Sequence, residues 1–142
     1  MPSPSATFRI ERSSRWFGQV QIGPRKWGGG RAINAAGTVV GEVVETSEFQ
    51  AASWDATGHL TNIGTILGAR RSMSWAVNDV GVVVGTADGH GFIYLDGHAT
   101  DLNRMVPAQF TIEWGISINN RGQIGANGRC GGVARSLLLT PP

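Results

Sequence analysis

The sequence predicts an all-β protein built from about three copies of a unit of roughly forty residues. One short passage recurs three times at nearly constant spacing. Glycine is abundant, with 21 residues, and charged residues make up only 15% of the chain. This balance favours a sheet protein with many tight turns over a helical or disordered one. A chain of 142 residues is long enough for one domain with a buried core.

The recurring passage occupies residues 32–41, 76–85 and 117–125, and each copy reads as a β-hairpin. A short apolar strand ends at Asn34, Asn78 or Asn119. A four-residue turn follows, and then a run rich in β-branched residues. An asparagine side chain can bond the backbone two residues further on, and glycine accepts turn geometries that a Cβ resists. We therefore assign the three asparagines to turn formation rather than to ligand binding.

A second repeated passage supplies two more strands per unit, at residues 52–64 and 92–103. Weaker echoes occur at residues 8–10, 20–23 and 136–139. Four short strands in a unit of this size are typical of a β-propeller blade. A single domain spanning residues 1–142 is expected, with units at about 8–51, 52–91 and 92–133 and an additional strand at 134–140.

Residues 32–41, 60–64, 90–94 and 137–141 together resemble the HAF repeat family, whose members are described as extracellular repeats. The resemblance covers about residues 8–141. It implies a propeller-like fold and little chemistry, because members generally have no assigned activity. The His-Ala-Phe triplet that names the family survives only as His90-Gly91-Phe92, and Gln50 and Arg135 begin the equivalent triplets.

Three blades are too few for a closed ring, which needs roughly four to eight. An open array would leave two sheet edges and two apolar faces uncovered. The predicted architecture is therefore a propeller-like array of about three four-stranded antiparallel blades, completed to six by a two-fold homodimer. The additional strand is available for exchange between the two chains.

The net charge is only +2, but its distribution is uneven. Residues 32–103 carry eight acidic side chains against two arginines, so oppositely charged regions can attract each other between chains. Without a recognition motif, the basic N-terminal region does not predict nucleic-acid binding. That region holds six basic residues against one acidic residue: Arg9, Arg12, Arg15, Arg25, Lys26 and Arg31 against Glu11.

Several features bear on the compartment. Cys130 is the only cysteine, so no intramolecular disulfide can form. Residues 1–7 lack the basic start and apolar run of a signal peptide, and no apolar stretch is long enough to cross a bilayer. The sequence as written therefore predicts a cytoplasmic protein that is not inserted in a membrane, whereas the family resemblance implies an extracellular one.

Four residues are candidates for chemistry. His59 and His98 follow a turn glycine at equivalent places in successive units, a placement that can converge on a metal or a substrate. His90 begins the triplet strand. Cys130 lies in a glycine-rich segment beside Arg129, which can lower a thiol pKa. For each candidate, a role in the turn or the strand is the competing interpretation.

The tryptophans have two interpretations. Trp54 occupies the strand position of Tyr94, and Trp75 and Trp114 lead into the repeated hairpins of their units. Packing in or between blades is expected of these three. Trp16 and Trp27 fall in less regular segments. An aromatic platform for sugar binding is the alternative for the set.

Two functions follow from the predicted fold. The first is an oligomeric binding module whose ring surface or central channel recognises a small molecule or a partner. The second is a hydrolase of broad specificity for esters, lactones or phosphoesters, with Asp55, Asp96 and Asp101 beside the histidines, or with Cys130 as a nucleophile. The sequence does not identify a cofactor or a metal.

Overall fold

The computed structural model describes residues 28–44 and 47–142. This part of the chain is all-β, as predicted, and forms three antiparallel sheets whose strands follow one another in chain order. The first sheet contains β1 (Gly28–Ile33), β2 (Val39–Val44), β3 (Phe49–Trp54) and β4 (Leu60–Asn62). The second contains β5 (Ser72–Val77), β6 (Val83–Ala87), β7 (His90–Leu95) and β8 (His98–Asp101). The third contains β9 (Phe110–Ile118), β10 (Ile124–Cys130) and β11 (Val133–Leu139).

Two short helical segments follow the fourth strands. Helix α1 (Ile63–Leu67) follows β4, and a 3₁₀ helix at Leu102–Arg104 follows β8. The side chain of Asn62 caps α1 by accepting a hydrogen bond from the Thr65 amide at 2.9 Å. Ile63 and Leu102 begin the two segments and are buried, so each segment contributes an apolar side chain to the core.

The three predicted hairpins are present, and each turns at its asparagine. In the second sheet, Asn78 Oδ1 accepts a hydrogen bond from the Val82 amide at 2.8 Å, and the Gly81 amide donates to the Asn78 carbonyl at 3.1 Å. Gly81 has a φ of 90°, which a residue with a Cβ rarely adopts. The turn role of the asparagines is therefore confirmed.

The same asparagines also join one sheet to the next. Asn34 Nδ2 donates to the carbonyl of Asn78 at 3.0 Å, and Asn78 Nδ2 donates to the carbonyl of Asn119 at 3.1 Å. Asn119 has no following sheet in the described chain, and its Nδ2 donates to Gln123 Oε1 at 2.8 Å. This chain of hydrogen bonds, which we call the asparagine ladder, aligns the three hairpins at one end of the stack.

The core lies between the sheets. One cluster joins the first and second sheets, and a second cluster joins the second and third sheets. The second sheet is therefore covered on both faces. The buried members of the first cluster are Val40, Ala51, Ile63, Val77, Val83 and Phe92. Those of the second are Val84, Leu102, Ile112, Ile124 and Ala126.

Within the described residues the three sheets form an open stack, and the third sheet has three strands rather than four. The predicted additional strand, 134–140, coincides with β11 and belongs to that third sheet. The sheets are offset from the sequence units, because the expected unit 52–91 starts within β3. The echoes at 8–10 and 20–23, Trp16, Trp27 and the basic residues before Gly28 lie outside the described residues.

The expectation of an uncovered apolar face is not met at the first sheet. On the outer face of the first sheet, Val43 and Ala52 have no exposed surface and Trp54 only 1%. On the outer face of the third sheet, β10 presents the exposed polar side chains of Asn127 and Arg129. Homodimer formation stays a prediction, but it does not follow from apolar faces. No helix in the described part of the chain is long and apolar enough to span a bilayer.

Candidate functional site

The second sheet borders a pocket of about 530 Å³ beside α1, which we call the His90 pocket. The turn after β6, the start of β7, the end of β8 and the loop after α1 all contribute to its wall. Its polar and charged lining residues are Asp88, His90, Thr100, Asp101 and Arg104. Its volume lies within the range typical of small-molecule sites, about 300–1,000 Å³.

His90 and Asp101 form a hydrogen-bonded side-chain pair in this pocket. His90 Nδ1 lies 2.7 Å from Asp101 Oδ2. The two residues are brought together by the pairing of β7 with β8, in which Phe92 lies opposite Asp101. Because alternate residues of a strand share a face, His90 points to the same side as Phe92 and reaches the neighbouring carboxylate.

The second oxygen of Asp101 fixes the carboxylate in place. Oδ1 accepts hydrogen bonds from the amide and from Nδ2 of Asn103, each at 2.9 Å. Asn103 in turn exchanges two hydrogen bonds with the backbone of Ile112, at 2.6 and 2.9 Å. Since Ile112 is in β9, the carboxylate is anchored to both the second and the third sheet.

The hydrogen bonds around Asp101 determine the protonation pattern of the pair. Partial burial raises the pKa of Asp101, but the hydrogen bonds from His90 and then from Asn103 outweigh it, so the pKa lies below its ordinary value. The ionised carboxylate can only accept hydrogen bonds, so Nδ1 of His90 carries the shared proton. In the neutral ring Nε2 then keeps its lone pair, and it bonds no described residue.

Two further charged residues line the pocket and differ in what they do. Asp88 accepts hydrogen bonds from the amides of Arg70 and Arg71, at 3.0 and 2.9 Å, and so holds the segment before β5 against the turn after β6. Arg104 is exposed and forms no ion pair with any described residue. The guanidinium of Arg104 is therefore the positive group that this pocket offers to a ligand.

The arrangement supports two kinds of chemistry. An imidazole whose Nδ1 is held by a carboxylate presents Nε2 as a hydrogen-bond acceptor or as a general base. A nearby guanidinium binds a carboxylate or phosphate group, or stabilises a developing oxyanion. The lining of the His90 pocket thus includes an imidazole held by a carboxylate and a guanidinium that forms no ion pair with a described residue.

The structure separates the predicted candidates. It places His90 and Asp101 in one pocket, whereas His59, His98 and Cys130 do not line it. His59 precedes β4 and His98 begins β8, and both are exposed. Cys130 is half-buried at the end of β10.

Asp55 and Asp96 lie in turns. The Asp55 carboxylate accepts hydrogen bonds from the hydroxyl and amide of Thr57 and from the amide of His59. These hydrogen bonds lower the pKa of Asp55, the Thr57 hydroxyl most strongly. Asp96 has a φ of 48° in the turn between β7 and β8. Within residues 28–44 and 47–142 no group of three or more histidine, cysteine or acidic residues is placed to hold a metal ion.

Sequence reasoning missed Asn103 and Arg104. Asn103 corresponds to Gly64 in the first unit, so the repeat itself gives no reason to single it out. The available signal is Asp101, because an aspartate side chain commonly accepts a hydrogen bond from the backbone amide two residues further on, here that of Asn103.

Comparison of the chain with protein-family models, with curated proteins and with solved structures finds no match. The resemblance to the HAF repeat family therefore stays a prediction from the repeated residues. Function has to be argued from the geometry of the His90 pocket.

Proposed function

We propose that the chain is a propeller-like repeat scaffold that acts as a binding module, with the His90 pocket as its ligand site. The observation that carries the proposal is the His90 ring, with Nδ1 at 2.7 Å from Asp101, in a pocket also lined by Arg104, for which the described residues supply no ion-pair partner. The ligand that fits is a small molecule with a hydroxyl group for His90 Nε2 and an anionic group for Arg104.

The side chains that line the pocket are largely held in position before a ligand binds. The carboxylates of Asp88 and Asp101 are held by backbone donors, so they fix the shape of the pocket wall. The anchoring through Asn103 keeps His90 in one orientation before a ligand arrives. Such preorganisation reduces the entropy lost on binding.

Calorimetric titration with lactate and with inorganic phosphate tests the binding proposal. The Arg104→Gln variant should weaken binding about tenfold or more, as expected for the loss of one charge-assisted hydrogen bond. His90→Gln should weaken lactate binding, and His98→Gln is the matched control because His98 is exposed outside the pocket. Absence of saturable heat with both probes, or equal losses in His90→Gln and His98→Gln, would contradict the proposal.

The hydrolase is the second candidate, and the 2.7 Å pair of His90 and Asp101 favours it. In that reaction Nε2 of His90 removes a proton from water as the oxygen attacks the carbonyl carbon or phosphorus of an ester, lactone or phosphoester. The C–O or P–O bond to the leaving alcohol then breaks, and the imidazolium returns the proton to the departing oxygen. Asp101 stabilises the imidazolium that forms, and Arg104 stabilises the negative charge on the attacked group.

Chromogenic esters and phosphotriesters, assayed with and without a chelator, distinguish the two functions. A hydrolase should lose turnover in His90→Gln and in Asp101→Asn and retain it in His98→Gln. Rates no higher than in buffer alone would leave binding as the function of the pocket.

Self-association is the remaining part of the proposal. Strand β11 pairs with β10 on one side and with no described strand on the other. Two copies of β11 can pair in antiparallel fashion about a two-fold axis at Ser136, which places Arg135 of each copy opposite a leucine rather than another charge. An edge contact of this kind leaves the His90 pocket open, because β11 does not line it.

A further inference from the structure

We propose that the outer face of the third sheet carries a second binding site, which takes a saccharide. The site is a groove of about 630 Å³, separate from the His90 pocket, which we call the tryptophan groove. Its lining includes Trp75, Glu113, Trp114, Asn127, Arg135 and Ser136. The proposal goes beyond the function of the His90 pocket, with which the groove shares no lining residue.

Strand register places a tryptophan and two polar side chains in one row. Asn127 of β10 lies opposite Trp114 of β9 on one side and opposite Ser136 of β11 on the other. Residues paired across antiparallel strands point to the same face of the sheet. That face is the outer one, because Ile124 and Ala126 alternate with Asn127 and pack in the core with the second sheet.

The aromatic part of the groove is held rigidly. The ring centroids of Trp75 and Trp114 are 5.7 Å apart, with an angle of 60° between the planes. The guanidinium carbon of Arg31 lies 4.4 Å from the centre of the Trp75 ring, and Glu42 holds that arginine through two hydrogen bonds of 2.7 and 2.9 Å. The indoles therefore lose little rotamer freedom when a ligand binds.

The polar part of the groove lies beside the indoles. Glu113 forms an ion pair of 3.0 Å with Arg129 on the same face. Asn127 and Ser136 are exposed, and their side chains make no hydrogen bond to any described residue. A carboxylate and an amide that line one groove offer both donors and acceptors to hydroxyl groups.

Comparison with the equivalent positions in the stack indicates what the face is suited to contact. Asn127 occupies the place of Glu42 in the first sheet and of Thr86 in the second, and those residues are only 3% and 7% exposed. Thr86 bonds the carbonyl of Glu113 in the next sheet, at 2.9 Å. Asn127 has no such sheet over it in the described chain, so its amide is available to a ligand.

The chemistry of the groove matches a sugar ring. A pyranose has an apolar C–H face that stacks on an indole and a rim of hydroxyl groups that needs directed hydrogen bonds. A saccharide therefore meets Trp114 with its face and Asn127, Glu113 and Ser136 with its rim. A purely apolar ligand would cover the Asn127 amide without giving it a hydrogen-bond partner.

Titration of the full chain with glucose, N-acetylglucosamine, cellobiose and maltotriose, followed by tryptophan fluorescence and by calorimetry, tests the proposal. Saturable binding of at least one saccharide is expected. Asn127→Ala should weaken it about tenfold, and Trp114→Ala more strongly. Trp114→Phe keeps an aromatic face and should retain part of the affinity. It serves as the test variant if Trp114→Ala does not fold. Arg104→Gln is the matched control, because it alters the His90 pocket alone.

Several outcomes would overturn the assignment. One is the absence of saturation with all four saccharides well above millimolar concentration, and another is saccharide binding that Asn127→Ala and Trp114→Phe leave unchanged. A third is a change of solution mass in Asn127→Ala, which would show that a second copy of the chain covers this face. Loss of lactate binding at the His90 pocket has no bearing on these results, so the two sites fail or succeed separately.

Discussion

The side-chain amide of Asn78 donates a hydrogen bond of 3.1 Å to the main-chain carbonyl of Asn119, 41 residues further along the chain. Asn78 is only 4% exposed, and its Oδ1 holds its own turn through the Val82 amide. One side chain therefore closes a hairpin and joins that hairpin to the next sheet. This double role explains why asparagine, and not another turn residue, recurs at this position.

Asn78→Asp separates the two roles. Aspartate keeps the acceptor for the Val82 amide but lacks the donor to the Asn119 carbonyl, and it places a carboxylate beside that carbonyl. We expect a loss of about 1–3 kcal/mol in the free energy of unfolding, measured by urea denaturation at pH 7.

Asn119→Asp is the matched control for that change. The amide of Asn119 donates to the exposed Gln123 side chain rather than to another sheet, so its loss should cost about 0.5 kcal/mol or less. Equal losses of unfolding free energy in the two variants would show that the hydrogen bond from Asn78 to the Asn119 carbonyl does not stabilise the protein.

Asp79 gives the stack a dependence on pH. Its carboxylate accepts a hydrogen bond from the Ala35 amide of the first sheet and another from Asn120 Nδ2 of the third, each at 2.8 Å. The Ala35 amide most strongly, and then Asn120, lowers the pKa of Asp79, while desolvation acts weakly in the opposite direction. The folded state therefore binds a proton at Asp79 less readily than the unfolded state does.

The sign of the pH effect follows from this difference. The stabilisation by Asp79 is complete above the unfolded pKa of about 3.9 and is lost as the pH falls through the lower pKa of the folded state. Asp79→Asn should therefore be less stable than the natural chain near pH 7 and should approach it in acid. Urea unfolding at a series of pH values measures the difference. Asp55 and Asp101 are present in both proteins, so their titration cancels in the comparison. A difference in free energy of unfolding that does not vary with pH would show that ionisation of Asp79 does not stabilise the stack.

The hairpins were predictable from sequence because their signals are local. An asparagine, a turn glycine and a β-branched run lie within ten residues, and the geometry of the turn follows from them. The asparagine ladder was not predictable, since it depends on how two hairpins 41 or 44 residues apart are placed in the stack. Local patterns do not contain that information.

The candidate site shows the same limit. His90 and Asp101 were singled out separately, but their contact depends on the register of β7 with β8. His59 and His98 were predicted at equivalent places in two units, and the structure places them so, one before β4 and the other at the start of β8. Both histidines are exposed and neither lines the His90 pocket, so equivalent placement in the repeat does not identify a shared site.

Gly85 is a position where even a small substitution should be costly. A Cβ there would overlap the Met73 carbonyl and approach the Phe92 ring within 2.7 Å. Because the first of these contacts is with backbone, the strand itself must move, and Gly85→Ala should lower the free energy of unfolding by about 3 kcal/mol. Thermal or urea unfolding measures this loss.

The third sheet supplies the comparison for Gly85. Ala126 of β10 is the residue equivalent to Gly85 of β6. Ala126 pairs with Gly115 across the sheet, as Gly85 pairs with Ser74. Ala126→Gly should cost only about 0.5–1 kcal/mol, through the greater freedom of glycine in the unfolded chain. A loss in Gly85→Ala as small as this would mean that β5 can move aside without disturbing the core.

The β11 edge predicts the state of the chain in solution. If two copies pair along β11, light scattering should give twice the chain mass of 15.0 kDa at micromolar concentration. Ser136→Lys should reduce the mass to that of one chain, because the two-fold axis places two ammonium groups opposite each other. Ser117→Lys, on an exposed position of β9, should leave the dimer intact. A single-chain mass for the unaltered protein contradicts the dimer, and a dimer that Ser136→Lys does not dissociate places the contact elsewhere than on β11.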